Sequence, residues 1–564
     1  MPNQDAMKSR NEAIQAIAGQ TFDVCVIGGG ATGAGCALDS QLRGLKTVLV
    51  EGADFASATS SASTKLVHGG VRYLRDAVNK LDAGQYRVVK RALHERLVMI
   101  QNAPYLAHTL ELIIPCSGWR ELLYYGIGLK LYDKISGKSS LLPSRFLSRA
   151  ETLRRMPMLA DRGRKLVGSV AYADGQFDDS RYNLALIRTF TEAGGEALNY
   201  ARVMDFGRDE IGKLKTAQIK DVLTGRLFEI RARVFINATG PFSDNLRQMA
   251  NPQASPRLRL SKGIHILLPL DGFEGHDAIM VPKTEDGRVL FAIPWLGRLL
   301  VGTTESEATL ARDMRVEKSE AEYVLRQLNP YLREPIAMEQ IASAFGGLRP
   351  LVSSADARDT KKLIREHEVE ADPQSGLISI LGGKWTTYRA MAEETVDEVQ
   401  RQLGKAVGQC QTSNHSLIGA SGYSEDYWQT LVAEHGVSES TARHLVAKHG
   451  ARATDVVALI REQPELAQPF IAGLAPIRAE VIFAIREEMA MSIEDILARR
   501  IGLQLHGWRE AIQAAPVVAQ YLAQELGWSA MQTKEAVEQY TSRLNQMLEC
   551  LGLQPEQLGD STTI

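Results

Sequence analysis

The sequence predicts an α/β protein in three parts. A parallel-sheet domain opens with a strand–helix–strand crossover, a mixed and largely antiparallel sheet is inserted within it, and an all-α domain closes the chain. Three observations predict this. A βαβ pattern with a Gly-rich turn occupies residues 21–52. Alternating strand-like runs recur through about 100–350. After about residue 400 the apolar spacing becomes helical.

The elements follow in order. Residues 1–20, MPNQDAMKSRNEAIQAIAGQ, read as a polar, partly helical lead-in. No apolar core follows its basic residues, so a secretory signal is not expected. TFDVCVIGG is an apolar run rich in Val and Ile, as in a parallel strand buried on both faces. After the Gly turn, GAGCALDSQLRG has helical spacing, and KTVLVEG is a second buried strand. HTLELIIP, KTAQIKD, VFINATG, GIHILLPL, VLFAIPW and LLVGTT supply the middle strands, several with the period of two of half-buried antiparallel strands. Nucleotide-binding segments are expected at about 21–100, 170–250 and 340–402, interleaved with substrate-binding segments at about 101–169 and 251–339. The Gly-, Ser-, Asn- and Gln-rich stretch 403–424 reads as a linker, and 425–555 as a separate helical domain.

Composition narrows the class. The chain has 564 residues, 45% hydrophobic and 23% charged, which suits a soluble globular protein of two or three domains. A net charge of −2 without long like-charge runs argues against nucleic acid as a partner. Five cysteines without a Cys-x-x-Cys pair suit reduced thiols better than disulfides or a metal site. No run approaches the ~18 apolar residues of a membrane span, so any membrane contact is expected to be peripheral.

Gly28-x-Gly30-x-x-Gly33 lies between the first strand and its helix. In a dinucleotide site the first glycine makes the tight turn. The second lets backbone approach a pyrophosphate, and the third lets helix and strand pack closely. The helix N-terminus offers free N–H groups to phosphate. Glu51 ends the second strand, where a carboxylate accepts from ribose hydroxyls and repels the extra phosphate of NADP. This motif alone does not separate FAD from NAD.

Ser57–Leu74, SATSSASTKLVHGGVRYL, is dense in small hydroxyl residues and leads into a basic, Gly-paired run. Thr59, Ser60, Ser61, Ser63, Lys65, Leu66, His68, Gly69 and Gly70 are therefore candidate contacts to an isoalloxazine ring. At this point a resemblance becomes specific. IGGGATGAGCALDSQLRG at 27–44 and GGKWTTYRAMA at 382–392 resemble two signatures of the FAD-dependent glycerol-3-phosphate dehydrogenases. NATGP, GIH, IPW, GTTE and GLRPL follow in that family's order, and EEMAMSIEDILARR at 487–500 resembles its C-terminal domain. Two departures stand out: the lead-in of some twenty residues, and Glu305 where many members carry Asp.

The resemblance implies an FAD-binding Rossmann-like domain of the glutathione-reductase type. It also implies oxidation of sn-glycerol 3-phosphate to dihydroxyacetone phosphate, by hydride transfer from C2 to flavin N5. A dianionic phosphate calls for arginine forks, and Arg72, Arg288 and Arg349 lie in matching blocks, with Tyr73 beside Arg72. Arg288, in EDGR, reads equally as a turn residue. His265 is the first candidate for the base that takes the C2 hydroxyl proton, and His68 is its rival. Lys384, after Gly382-Gly383 and before Thr386 and Thr387, is a candidate catalytic cation at a helix start. Gly240, Gly383, Lys384, Thr386 and Val203 complete the expected cofactor contacts.

Relatives pass electrons to membrane quinone or to oxygen. The long insertion usual in the oxidases is not seen, so quinone is the expected acceptor. Segment 119–134, WRELLYYGIGLKLYDK, suits an interfacial helix and an ordinary buried one equally. A cytoplasmic protein on the inner face of the cytoplasmic membrane, and a homodimer, are the remaining expectations. The alternatives are an oxidase producing H2O2, a flavin-dependent amine or amino-acid oxidase, and a non-catalytic flavin-binding protein.

Overall fold

The computed structural model describes residues 5–70, 83–159, 166–270, 277–311, 314–353, 367–404 and 408–556. Arg72 and Tyr73 lie outside them.

The first sheet grows from the βαβ unit. Strand Thr21–Ile27 pairs in parallel with Thr47–Val50 on one side and Leu227–Asn237 on the other. Glu196–Leu198 and Ile378–Gly382 extend the parallel core outward. Antiparallel strands Ala201–Arg208, Leu214–Asp221 and His367–Ala371 complete it. Both faces are covered, as the run of apolar residues requires. Val24, Val26, Leu49 and Ile236 pack under the crossover helix Ala31–Leu42 and its neighbours, while Cys25, Ile27, Val48, Val50 and Phe235 point the other way. The lead-in closes that second face. Its helix Asp5–Ala18 inserts Ile14 and Ile17, and Arg10 is ion-paired to Asp221 in the interior.

The second sheet is mostly antiparallel. Its centre is the long strand Leu258–Pro269, which pairs with Arg298–Gly302 on one side and Ser343–Val352 on the other. Leu290–Trp295, Ala278–Val281, Ala107–Cys116 and Gly168–Phe177 carry the sheet onward. Alternate residues Ile264, Ile266 and Leu268 enter a core that also holds Val481, Ile485, Leu497, Val518 and Leu522 from the C-terminal helices. The helical region is thus welded to the second sheet, and its first part has a core of its own, around Leu431, Leu445 and Val456. The segment expected to link the two is likewise pinned. Leu417 N donates to the Asn102 carbonyl, Tyr105 Oη to that of Ile418, and Ile418 N to Thr189 Oγ1.

Candidate functional site

A cavity of about 640 Å³ opens where the first sheet meets the second. The βαβ turn forms its floor. Gly28 sits at φ +113°, with room for no side chain: a Cβ there would stand 2.5 Å from the Ala238 carbonyl oxygen. At Gly33 a Cβ would stand 1.8 Å from the Gly28 oxygen, so helix and strand meet only because both residues are bare. Gly30 and Ala31 face the cavity at the helix N-terminus, where Ser60 Oγ accepts from Ala31 N at 3.0 Å. Glu51 lines the cavity too. Its carboxylate accepts from Gly29 N at 2.7 Å and Ala53 N at 2.9 Å, which fixes it at the strand end.

The expected cofactor residues divide into three groups. Gly28, Gly30, Glu51, Thr59, Ser60, Val203, Gly240, Gly383 and Lys384 line the cavity. Ser61 lines a smaller adjoining one. Gly33, Ser63, Lys65, Leu66, His68, Gly69, Gly70 and Thr386 do not line either cavity. Lys65 is wholly buried, and its ammonium donates to Asp179 Oδ1 at 2.5 Å and to the Ser61 carbonyl at 2.8 Å. Leu66 joins the sheet opposite Gln176, and Gly69 N donates to Tyr132 Oη at 2.9 Å. His68 N reaches Thr386 Oγ1 at 3.4 Å. Burial lowers the His68 pKa, opposed by Asp174 and reinforced by Lys384.

The fit to a flavin dinucleotide rests on this cradle: a bare turn at a helix N-terminus, an acid at the strand end, and a volume within the range of cofactor pockets. The second signature meets the first here. Gly382 and Gly383, at φ +72° and +89°, turn the chain from strand Ile378–Gly382 toward helix Tyr388–Leu403. Trp385 Nε1 then donates to the Ser60 carbonyl at 2.8 Å and ties the two segments together.

His265 and Arg349 come together through strand register. On the paired strands, Ser261 faces Arg349, Gly263 faces Gly347 and His265 faces Phe345. By the period of two, all six share one face. The two glycines clear a floor between the functional side chains. Arg349 folds back across Gly263, where a Cβ would meet its guanidinium at 2.1 Å. It donates to Thr303 Oγ1 at 2.7 Å and to the Thr304 carbonyl at 3.1 Å. His265 stacks on Phe345 at 4.9 Å, and its Nε2 lies 2.9 Å from Thr64 Oγ1. Gly302, opposite it, has no room for a Cβ against the ring. Burial, then Arg349, then Lys65 push the imidazole pKa well below 6.5, so it is neutral at pH 7. Arg288 reaches the same segment from the far side. It sits in a turn, donates to the Glu305 carbonyl at 2.9 Å and pairs with Asp286 at 3.0 Å. It serves the turn and, like His265 and Arg349, does not line the 640 Å³ cavity.

Sequence reasoning missed several residues. Thr64 and Thr303 lay inside quoted blocks, and their hydroxyls were the only signal. Asp179, which gathers Ser63, Lys65 and Ser180, and Asn183, which donates to the Gly29 carbonyl at 2.9 Å, gave no local signal at all.

Helix Trp119–Ser136 divides cleanly. Leu122, Gly126, Leu129 and Tyr132 face the protein. Trp119, Leu123, Tyr124 and Ile127 are 70%, 55%, 56% and 69% exposed and form one stripe. Among the described residues, no helix is long and apolar enough to cross a membrane.

Residues 23–398 match the family model described as FAD dependent oxidoreductase, and residues 410–533 that of the C-terminal domain of alpha-glycerophosphate oxidase. A probable mitochondrial glycerol-3-phosphate dehydrogenase of Caenorhabditis elegans is 40% identical over 94% of this chain and 74% of its own length. A mitochondrial glycerol-3-phosphate dehydrogenase of Arabidopsis thaliana is 38% identical over 95% of this chain and 88% of its own. The crystal structure of the glycerol-3-phosphate dehydrogenase of Bacillus halodurans, complexed with FAD, is 30% identical. It covers 97% of this chain and 98% of that one, with a TM-score of 0.78. The expectation of a cytoplasmic protein on the inner face of a cytoplasmic membrane is corrected here: both curated relatives are named mitochondrial. The sequence motifs describe a cofactor and a substrate, which the members share across compartments, so they carry no address.

Proposed function

The chain belongs to the FAD-dependent glycerol-3-phosphate dehydrogenases, and from that premise we propose how its residues oxidise sn-glycerol 3-phosphate to dihydroxyacetone phosphate and where the electrons go. The observation that carries the reading is the pairing of a buried, neutral His265 with Arg349 on one face of two adjacent strands. The chemistry FAD supplies when bound is acceptance of the hydride from substrate C2. Arg349 holds the anionic substrate with the planar fork of a guanidinium that never deprotonates. Thr303 and Thr304 fix that fork from one edge. His265 takes the C2 hydroxyl proton on its imidazole, while Thr64 Oγ1 and the Phe345 ring hold the ring in place. Arg349 and Lys65 also favour the neutral imidazole, which is the form a base needs. Lys384 supplies positive charge on the cavity wall.

The electron acceptor is a membrane quinone. The stripe Trp119, Leu123, Tyr124 and Ile127 supports this, because aromatic and aliphatic side chains on one helix face suit the headgroup boundary of a bilayer. The test is anaerobic. Yellow protein mixed with glycerol 3-phosphate bleaches, whereas glycerol, glycine and lactate leave it yellow. Menadione then restores the colour rapidly and oxygen slowly. Bleaching by an amino acid, or reoxidation faster with oxygen than with menadione, overturns the respective half of the reading.

A further inference from the structure

The cofactor cavity has one wall that neither sheet supplies. Facing loop 51–60, Tyr200–Val203 and Thr239–Phe242 stand Glu494, Arg499 and Arg543, all from the C-terminal helices. The same three charged residues line the smaller adjoining cavity, which shares Ser57, Ala58 and Thr59 with the first. Arg543 is ion-paired with Glu494, and Arg499 Nη1 lies 3.4 Å from the same carboxylate.

Behind this wall the helices grip both loops at the nucleotide end. Asp54, 1% exposed and three residues past Glu51, accepts from Arg499 Nε at 2.6 Å and from Arg500 Nη2 at 2.9 Å. Tyr200, at φ +52°, donates from its hydroxyl to Asp495 Oδ1 at 2.8 Å. Asn199 Nδ2 bridges Asp54 at 3.2 Å and the Met489 carbonyl at 2.8 Å. A non-glycine residue at positive φ persists only where its surroundings over-determine it; here Ala53 and Val222 hold its backbone, at 2.7 and 2.8 Å, and Asp495 of the C-terminal region holds its hydroxyl. The gripping residues Asp495–Arg500 form a short stretch of π-helix, a rare form frequent at functional sites.

We propose that the C-terminal helices are part of the FAD site: Arg543 is a binding residue for the anionic ADP half of the dinucleotide, and Asp54 with Arg499 and Arg500 locks loops 51–60 and 199–203 in their cofactor-binding shape. The proposal rests on the reading of the 640 Å³ cavity as the FAD site. Its logic is electrostatic. A guanidinium at the cavity mouth meets a pyrophosphate as a charge-assisted donor, and Glu494 orients it beforehand. Binding and packing are then linked: FAD steadies the C-terminal helices to the degree that they hold it.

The test follows flavin release from purified holoenzyme after dilution, read as the rise of free-flavin fluorescence. Arg543→Ala is expected to release FAD about tenfold faster, and Arg543→Lys within about threefold of wild type. Arg543 is partly exposed and lies outside the core, so its truncation leaves the fold intact by circular dichroism. Asp54→Asn is expected to release FAD faster still. In the wild type, FAD is expected to slow amide exchange at residues 490–500. Wild-type release from Arg543→Ala together with no such protection overturns the proposal. Gly30→Val separates this failure from that of the cavity reading. If Gly30→Val retains FAD like wild type, the cavity itself is misassigned; if it loses FAD while Arg543→Ala keeps it, only the helical wall is wrong.

Discussion

Two glycines decide how the proposed catalytic pair, His265 and Arg349, is built. Gly263 leaves space for the Arg349 guanidinium, and Gly302 for the His265 ring. Gly302→Ala puts a methyl 2.2 Å from His265 Cδ2, so the ring must swing away. We expect kcat to fall by about a hundredfold with FAD retained, since a misplaced catalytic group costs that much; wild-type turnover would show the ring is not the base. Arg349→Ala removes a charge-assisted contact worth about 1.5–3 kcal/mol, so KM is expected to rise about ten- to a hundredfold. It also removes a positive neighbour of His265. The acid limb of kcat/KM, which in the wild type lies below pH 6.5, then moves to higher pH because protonation of the imidazole is opposed less. A limb that stays in place would take His265 out of the titration.

At the scale of one element, helix Trp119–Ser136 shows why a sequence window with two readings can support both. Its inward face packs Leu122, Leu129 and Tyr132, and Gly126 lies so close to Phe146 that no Cβ fits. Its outward side carries the apolar stripe of Trp119, Leu123, Tyr124 and Ile127 beside the exposed charges Arg120, Glu121, Lys130 and Lys134, where a fully solvated helix would be polar throughout. Replacing Trp119 and Ile127 together with Glu is expected to reduce sedimentation with lipid vesicles at least about tenfold, since charge at the interface opposes insertion and two large apolar contacts are lost. Reduction of a soluble dye is expected to be unchanged. Undiminished vesicle binding, or none by the unaltered protein, would remove this stripe as a membrane-binding surface.

For the molecule as a whole, buried ion pairs join the C-terminal helices to the nucleotide-binding domain. Arg181 spans Glu488 with two contacts of 2.7 Å, Lys448 reaches Asp178 at 2.7 Å, and Arg499 and Arg500 converge on Asp54. Burial alone would raise the pKa of Asp178, Glu488 and Asp54. Lys448, Arg181 and Arg500 outweigh it and hold all three below their ordinary values. The unfolded chain therefore takes up protons first as pH falls. The stabilisation is complete above the ordinary carboxylate range of about 4 and is lost progressively below it. Acid titration is expected to dissociate FAD and unfold the C-terminal helices in one step below about pH 4. Flavin loss well above that pH, with helices intact by circular dichroism, would show that the two are not coupled.

The sequence by itself determined the βαβ unit, the bare glycine turn with Glu51, and the helical character of the last third, because these depend on short-range spacing and on which residues can occupy a turn. It also carried the family through two signatures more than three hundred residues apart. What it could not supply is proximity across that distance. His265 meets Arg349 through strand register, Ser60 meets Trp385 through a single hydrogen bond, and Lys65 turns from the cavity because Asp179 lies behind it. Arg288 reads in the sequence as anion ligand and turn residue equally, and the fold places it in the turn with Nη1 on the Glu305 carbonyl. The role of the helical region is the clearest case. Its apolar spacing predicts helices, but only the shared core with the second sheet, the ion pairs to Asp54 and the cavity lining show that those helices form one wall of the 640 Å³ cavity, because packing partners are chosen by the fold and not by periodicity.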